Sequence, residues 1–364
     1  MNNIFNIDNF IDSNLKNINL KKKVSKQGKL NLASNELLHS KLKELNNKFK
    51  EIYQFDTINS YTFYPDKIRD FSELLGYNKE NIALFAGSDD AIKIIINSIG
   101  CNSKNLIIQT PNYENYYSYA KLKGINIYEW NIGSKYNFYV YDCFKILREK
   151  SPSLVIISNP NGFTGKSLKS EEINYLLKEC EKNGHLLIID CAYSSFDAIN
   201  YKELMNKSKN LIIINSLSKS YGLAGVRFAY IYSSIEIIKY LNYFNGINAI
   251  SSLTYEIAEF YLKNKEIFNE IKEDIIRSRE NLIKFIRENT TWNVIKSKSN
   301  FILIEMENKR EVDKFDKYLN DNGIIARNLS NKKEFDKCIR MTVAEECIMN
   351  NVKSAIINFQ KRKV

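Results

Sequence analysis

Histidine is scarce in this chain of 364 residues: only His39 and His185 occur. Two imidazoles cannot furnish a zinc cluster together with a histidine-based catalytic triad. The six cysteines, Cys101, Cys143, Cys180, Cys191, Cys338 and Cys347, show no CxxC spacing, which leaves no metal site to expect and fits a reduced, cytoplasmic protein. No run approaches the roughly 20 apolar residues of a membrane span. The opening "MNNIFNIDNFIDSNLKNINLKKK" carries acids and asparagines where a secretion signal has an apolar core. The net charge of +11 is spread along the chain, with no basic arm and no alternation of basic and aromatic residues. A nucleic-acid partner is therefore not expected, nor a membrane; small anionic substrates suit the charge better. Internal repeats and low-complexity linkers are absent too.

What is present is a globular enzyme's composition, 44% hydrophobic and 26% charged. The middle of the chain alternates short apolar runs with helical patterns. The runs "NLIIQT" (105–110), "LVIIS" (154–158), "LLIID" (186–190), "LIIIN" (211–215) and "RFAYIY" (227–232) read as strands buried on both faces of a sheet. Between them, "SEEINYLLKECEKNG" (170–184) repeats apolar residues at helical spacing and ends on Gly184, where a helix stops. This alternation predicts an α/β fold with a mostly parallel, doubly wound sheet, whose ligand lies beyond the carboxyl ends of the strands. Long helices followed by short strands ("NFILIEM", "CIRMTVA") predict a smaller α/β unit over 249–364. The expected large domain is 46–248, preceded by an N-terminal segment, 1–45, that packs on the small domain and the substrate pocket.

Four stretches place chemistry-bearing residues on one edge. In "FAGSDDAIKIIINSIG", Gly87-Ser88-Asp89 opens a helix, either as a simple N-cap or as an anion site built from free N–H groups and the helix dipole. In "TPNYENYY", Tyr113 follows a strand, where a flat ring either packs or covers a heterocycle. "IIDCAYSSF" ends a strand on Asp190, with Tyr193 three residues on; a buried carboxylate there is costly unless a cation meets it, although a cap or loop aspartate is the plainer reading in isolation. Lastly, "NSLSKSYGLAGVRF" surrounds Lys219 with Ser216, Ser218 and Arg227. An amine used as a nucleophile must spend time deprotonated, which a partly dehydrated pocket near other cations promotes.

The motif "SLSKSYGLAGVR" resembles the lysine signature of the pyridoxal-phosphate aminotransferases of the aspartate aminotransferase superfamily, fold type I. The nearest branch is that of histidinol-phosphate aminotransferase and threonine-phosphate decarboxylase. "NLASNE", "YPD", "GSDD", "PNYENY", "NPNGFTG", "DCAYSSF", "GIIARNL" and "CIRMTV" are similar to family segments in the family's order. The resemblance implies a Schiff base between Lys219 and the aldehyde of pyridoxal 5'-phosphate. It further implies that Asp190 pairs with the ring nitrogen, Tyr193 bonds the ring's phenolic oxygen and Tyr113 stacks on the ring. Ser88 and Asp89 (through backbone N–H), Ser216, Ser218 and Arg227 would hold the phosphate. Arg340 would grip a substrate carboxylate. Arg327 would take a second anionic group, together with Tyr64 from a neighbouring subunit, which also places Tyr64 against the cofactor there. Asn35 would line the substrate pocket. A homodimer with active sites at the subunit interface follows from that role of Tyr64.

The chain departs from the pattern in several places. The family's asparagine before "PTG" is Gly162 here, with Asn161 one place early and expected to serve in its stead. "DEAY" is "DCAY", and Cys191, facing opposite to Asp190, is expected to pack away from the cofactor. "LLHS" (37–40) replaces the residues after the family's "NEN" and reshapes the segment covering the substrate. The expected activity is amino transfer to or from a small phosphorylated amino or keto compound, with glutamate and 2-oxoglutarate as the other pair. The alternative is decarboxylation of phosphothreonine or phosphoserine, which uses the same lysine and the same electron sink.

Overall fold

A computed structural model describes residues 28–54, 56–205 and 208–362. The part of the N-terminal segment before residue 28 lies outside them. Thirteen strands run in chain order: β1 (Leu30–Asn31), β2 (Ile82–Phe85), β3 (Asn105–Thr110), β4 (Asn126–Asn131), β5 (Leu154–Ser158), β6 (Leu186–Asp190), β7 (Leu211–Ser216), β8 (Ala229–Ser233), β9 (Asn293–Ile295), β10 (Phe301–Glu305), β11 (Ile324–Ile325), β12 (Arg327–Asn328) and β13 (Cys338–Thr342). Seven form the central sheet, in the order β2-β8-β7-β6-β5-β3-β4. The four expected runs from 105 to 215 are strands and pair in parallel.

Alternation explains their burial. Ile107, Val155, Ile157, Leu187, Ile189 and Ile213 face one apolar cluster. Their neighbours Ile108, Ile156, Ile188, Ile212 and Ile214 face another across the sheet. Cys191 belongs to the first cluster, as its opposite facing to Asp190 requires, and burial pushes its thiol well above the ordinary range.

Two features differ from expectation. β8 starts at Ala229 rather than 227, because Arg227 takes a left-handed φ of 60° and turns out of the strand. It is also antiparallel to both neighbours, β7 and β2. Reversing direction twice leaves β2 parallel to β7. The carboxyl ends of β2, β3, β5, β6 and β7 and the amino end of β8 therefore share one edge. The helix Ser170–Lys182 stops as read, with Gly184 at a φ of 71° just beyond it.

The four-stranded antiparallel sheet β12-β13-β10-β9 forms the second unit, against the helices Lys265–Asn289 and Glu346–Lys361. β1 pairs in parallel with β11, and Thr342 N–H donates to Leu32 carbonyl (2.8 Å), which fastens residues 30–35 over the end of β13. Leu32, Leu217, Phe228, Tyr255 and Ile302 lie in one apolar cluster shared by the sheets. No helix of the described residues is long and apolar enough to cross a membrane.

Candidate active site

Lys219 sits in the one-turn helix Leu217–Ser220 directly after β7. Ser216 caps this turn, its hydroxyl accepting from Ser218 N–H (3.2 Å) and lying 3.0 Å from the Ser218 hydroxyl. Lys219 Nζ donates to the Ser34 carbonyl at 2.7 Å, so the amine is aimed at the segment that follows β1. The neighbouring β6 delivers Asp190 to the same edge.

Asp190 is buried, at 7% exposure. Its Oδ1 accepts from Ala192 N–H (3.0 Å) and its Oδ2 from the Tyr116 hydroxyl (3.2 Å). Burial is the dominant influence and pushes the carboxyl up to about 6, with Asp89 adding to the rise and the two hydrogen bonds opposing it. Among the described residues no cation neutralises it. Tyr116 escaped the sequence reading. Its signal was helical spacing from Tyr113, which places position 116 on the inner face of the helix Glu114–Leu122.

The loop after β2 forms a cradle. Gly87, with φ at 88°, precedes the helix Ser88–Ser98. A Cβ on Gly87 would stand 2.3 Å from Arg227 Nη2, so the guanidinium lies directly over the glycine. Arg227 Nη2 is 3.4 Å from Asp89 Oδ2, and its Nη1 donates to the Ala224 carbonyl (3.2 Å). First-turn amides of an 11-residue helix, an arginine and the Ser216–Ser218 hydroxyls thus converge from three loops on one edge, a donor set suited to a phosphate. Tyr113, 45% exposed at the start of its helix, stands beside Asp89 through their shared partner Asn115.

The opposite wall carries the arginines. β12 and β13 pair so that Arg327 and Arg340 are directly opposite. Like charges in that position repel, and both burial and Arg327 lower the pKa of Arg340. Arg340 Nη1 donates to the Gly162 carbonyl and Nη2 to the Ala33 carbonyl (3.0 Å). Its Nε is buried with no hydrogen-bond partner, and no carboxylate pairs with it among the described residues.

Three residues expected in the site bond within their own chain. Asn161 is wholly buried and its amide is occupied: Nδ2 donates to Gln109 Oε1 (3.1 Å) and the Pro111 carbonyl (2.9 Å), while Oδ1 accepts from Phe163 and Thr164 N–H. These bonds tie it into its own loop. Tyr193 leans on Gly162, where a Cβ would meet Tyr193 Cε2 at 3.3 Å. Asn35, also wholly buried, gives its amide to Tyr193 Oη (2.9 Å) and not to the substrate space. Tyr64 opens its helix, Tyr64–Leu75, and its hydroxyl turns inward, accepting from Leu84 N–H (3.2 Å) beside Asn242 and Asn245 of its own chain. Pro65 starts the helix at once, which swings the ring onto β2 instead of leaving it extended.

Pyridoxal phosphate fits these residues. Among the described residues the buried Asp190 lacks a cation, which a protonated ring nitrogen supplies, and the Gly87–Arg227 cradle, where Asp89 stands 3.4 Å from the guanidinium, offers N–H donors to a phosphate. Residues 27–355 match the aminotransferase class I and II family, to which this chain belongs. It is a pyridoxal-phosphate-dependent aminotransferase of fold type I.

Among its relatives, histidinol-phosphate aminotransferase of Caldanaerobacter subterraneus subsp. tengcongensis is 32% identical over 77% of this chain and 80% of its own length. The structure of histidinol-phosphate aminotransferase from Sinorhizobium meliloti in complex with pyridoxal-5'-phosphate superposes with a TM-score of 0.83, at 17% identity, over 97% of this chain and 98% of that one. L-threonine-O-3-phosphate decarboxylase from Porphyromonas gingivalis gives 0.76 at 18% identity, over 91% and 99%. At such identities the last two likenesses show the fold alone.

Proposed function

We propose that the enzyme moves an amino group between glutamate and a small phosphorylated keto compound of the histidinol-phosphate type, with 2-oxoglutarate as the other product. The observation that carries this reading is the Arg327–Arg340 pair, two cations held in register with no carboxylate between them among the described residues. Arg340, clamped by two backbone carbonyls, grips the α-carboxylate that glutamate carries. Arg327, exposed beside it, takes the substrate's phosphate or glutamate's second carboxylate. One pocket can thus accept both partners of a two-step exchange.

Bound pyridoxal phosphate supplies an electron sink for charge developing at the substrate's α-carbon. Ser88 and Asp89 N–H, Ser216, Ser218 and Arg227 hold its phosphate, and Tyr113 covers its ring. Asp190 keeps the ring nitrogen protonated, and Tyr193 donates to the ring oxygen. Lys219 Nζ would hold the cofactor by its aldehyde and, once displaced from it by the substrate's amine, would take the α-carbon's proton and return it as general acid. Leaving the Ser34 carbonyl frees this amine to move between the two positions.

A homodimer belongs to this reading. Tyr61, Phe63, Tyr243, Phe244 and Ile247 are all exposed around the Tyr64–Asn242 contact, and we assign that face to a second copy. The buried free thiols Cys143, Cys180, Cys191 and Cys338 support a reducing, cytoplasmic setting.

The test is a screen of phosphorylated amines, histidinol phosphate included, with 2-oxoglutarate as acceptor. Glutamate formation is expected. Carbon dioxide release from phosphothreonine without any acceptor, and no glutamate from any amine, would overturn the reading in favour of decarboxylation.

A further inference from the structure

Tyr193 faces the pocket under constraints that come from outside its own loop. Its ring rests on the bare Gly162 and packs edge-to-face on Phe301 of β10, with centroids 5.5 Å apart. Its hydroxyl accepts from Asn35 Nδ2 at 2.9 Å. Asn35 is itself held on every side. Its N–H donates to Thr342 Oγ1 (2.9 Å), and its carbonyl accepts from Asn300 Nδ2 (3.0 Å). Thr342 Oγ1 in turn donates to the Leu32 carbonyl (2.8 Å). The residue is wholly buried and takes a left-handed φ of 54°, which asparagine tolerates better than most side chains.

We infer that Asn35 is a positioning residue for the cofactor ring: it fixes the direction of the Tyr193 hydroxyl, and so carries the state of the small sheet to the ring oxygen. The argument concerns one proton. A tyrosine hydroxyl has a single O–H and accepting lone pairs. With Asn35 donating into a lone pair, the Tyr193 proton is left to point elsewhere, and the ring oxygen is the acceptor that the proposed function puts in front of it. Asn161 cannot share this task, because both its N–H groups are occupied. Support for the ring oxygen therefore reaches it through Asn35 and Tyr193 in series. This inference rests on the proposed placement of Tyr193, and the experiment separates the two.

The reporter is the pH midpoint of the bound cofactor's absorbance change in the holoenzyme, without substrate. Donation from Tyr193 stabilises the negatively charged ring oxygen, so losing it raises the midpoint. Tyr193→Phe is expected to raise it by about one pH unit or more, the size of one lost hydrogen bond to a charged group. Asn35→Asp, nearly isosteric, presents an acceptor in place of the donor and draws the Tyr193 proton backwards; a comparable rise is expected. Asn35→Gly deletes the amide without backbone strain at positive φ, gives a smaller rise in the same direction, and serves if the aspartate variant does not fold. Adding Asn35→Asp to Tyr193→Phe should move the midpoint no further. If Tyr193→Phe shifts the midpoint and neither Asn35 variant does, the positioning role is overturned while the proposed function stands. If Tyr193→Phe itself shifts nothing, Tyr193 does not serve the ring oxygen and the inference falls with that placement.

Discussion

The two walls of the pocket mishandle charge in opposite ways. Among the described residues, Asp190 on the large-sheet side is a buried carboxylate with no cation, and Arg340 and Arg327 on the small-sheet side face each other with no carboxylate. An isolated protein gains nothing from either arrangement, since buried unpaired charge and opposed like charges both destabilise. On the proposed function, each wall holds half of an ion pair whose other half arrives with a ligand. The difference would lie in who brings it: the cofactor would complete Asp190 and stay, whereas substrates would complete the arginines and leave. That fits the deeper burial of Asp190 and the exposure of Arg327.

Removing the amine that works between the walls has the largest expected effect. Lys219→Ala should lower kcat by at least ~10²–10⁴-fold. Borohydride treatment of the wild-type holoenzyme should label the peptide containing Lys219, and the variant should stay unlabelled.

Asp190→Asn tests the first wall directly. It should reduce kcat by ~10²-fold or more, through loss of the ring-nitrogen partner. The same change should stabilise the cofactor-stripped protein. The folded chain binds the Asp190 proton more tightly than the unfolded chain, with a carboxyl near 6 against 3.8. Stability from this group is therefore highest below pH 3.8, falls as pH rises to about 6, and is flat above. At pH 8 the variant should gain up to ~3 kcal/mol, and near pH 4 almost nothing, as read by denaturant titration at the two pH values.

Arg340→Met tests the second wall. It should cost ~10–100-fold in kcat/KM for glutamate, the worth of a charge-assisted hydrogen-bonded contact, while leaving the stripped protein as stable or more so. A smaller loss, confined to the phosphorylated substrate's KM, is expected for Arg327→Met. Smallest in its effect on the pocket, Ile247→Asp should shift the protein toward a monomer in light scattering, in keeping with the exposed apolar face around it.

The cofactor wall was largely readable in the sequence because its groups, Arg227 before β8 apart, follow strands, and parallel strands deliver their carboxyl ends to one edge. Lys219, Asp190, Tyr113 and the Ser88 turn all sit where that rule puts them. Side-chain direction was not readable. Asn161 and Tyr64 carry the expected residue types, and their hydrogen bonds with Gln109, Pro111 and Leu84 were not legible in the sequence. Tyr116, Asn300 and Thr342 gave weak signals or none, since their roles depend on partners more than seventy positions away.

By itself, then, the amino-acid sequence determined the alternation of strand and helix, the edge at which chemistry would gather, and the lysine, aspartate and arginines that gather there. The first two follow from local patterns, burial period and strand ends; the third rests on the likeness of the motifs to a known family. Only tertiary structure decided which polar groups remain free. That outcome depends on which distant segments meet, as when residues 31–35 close over β13, turn Asn35 onto Tyr193 and seat Arg340 between two carbonyls. A hydrogen bond removes a side chain from the ligand's reach, and no local pattern records its partner.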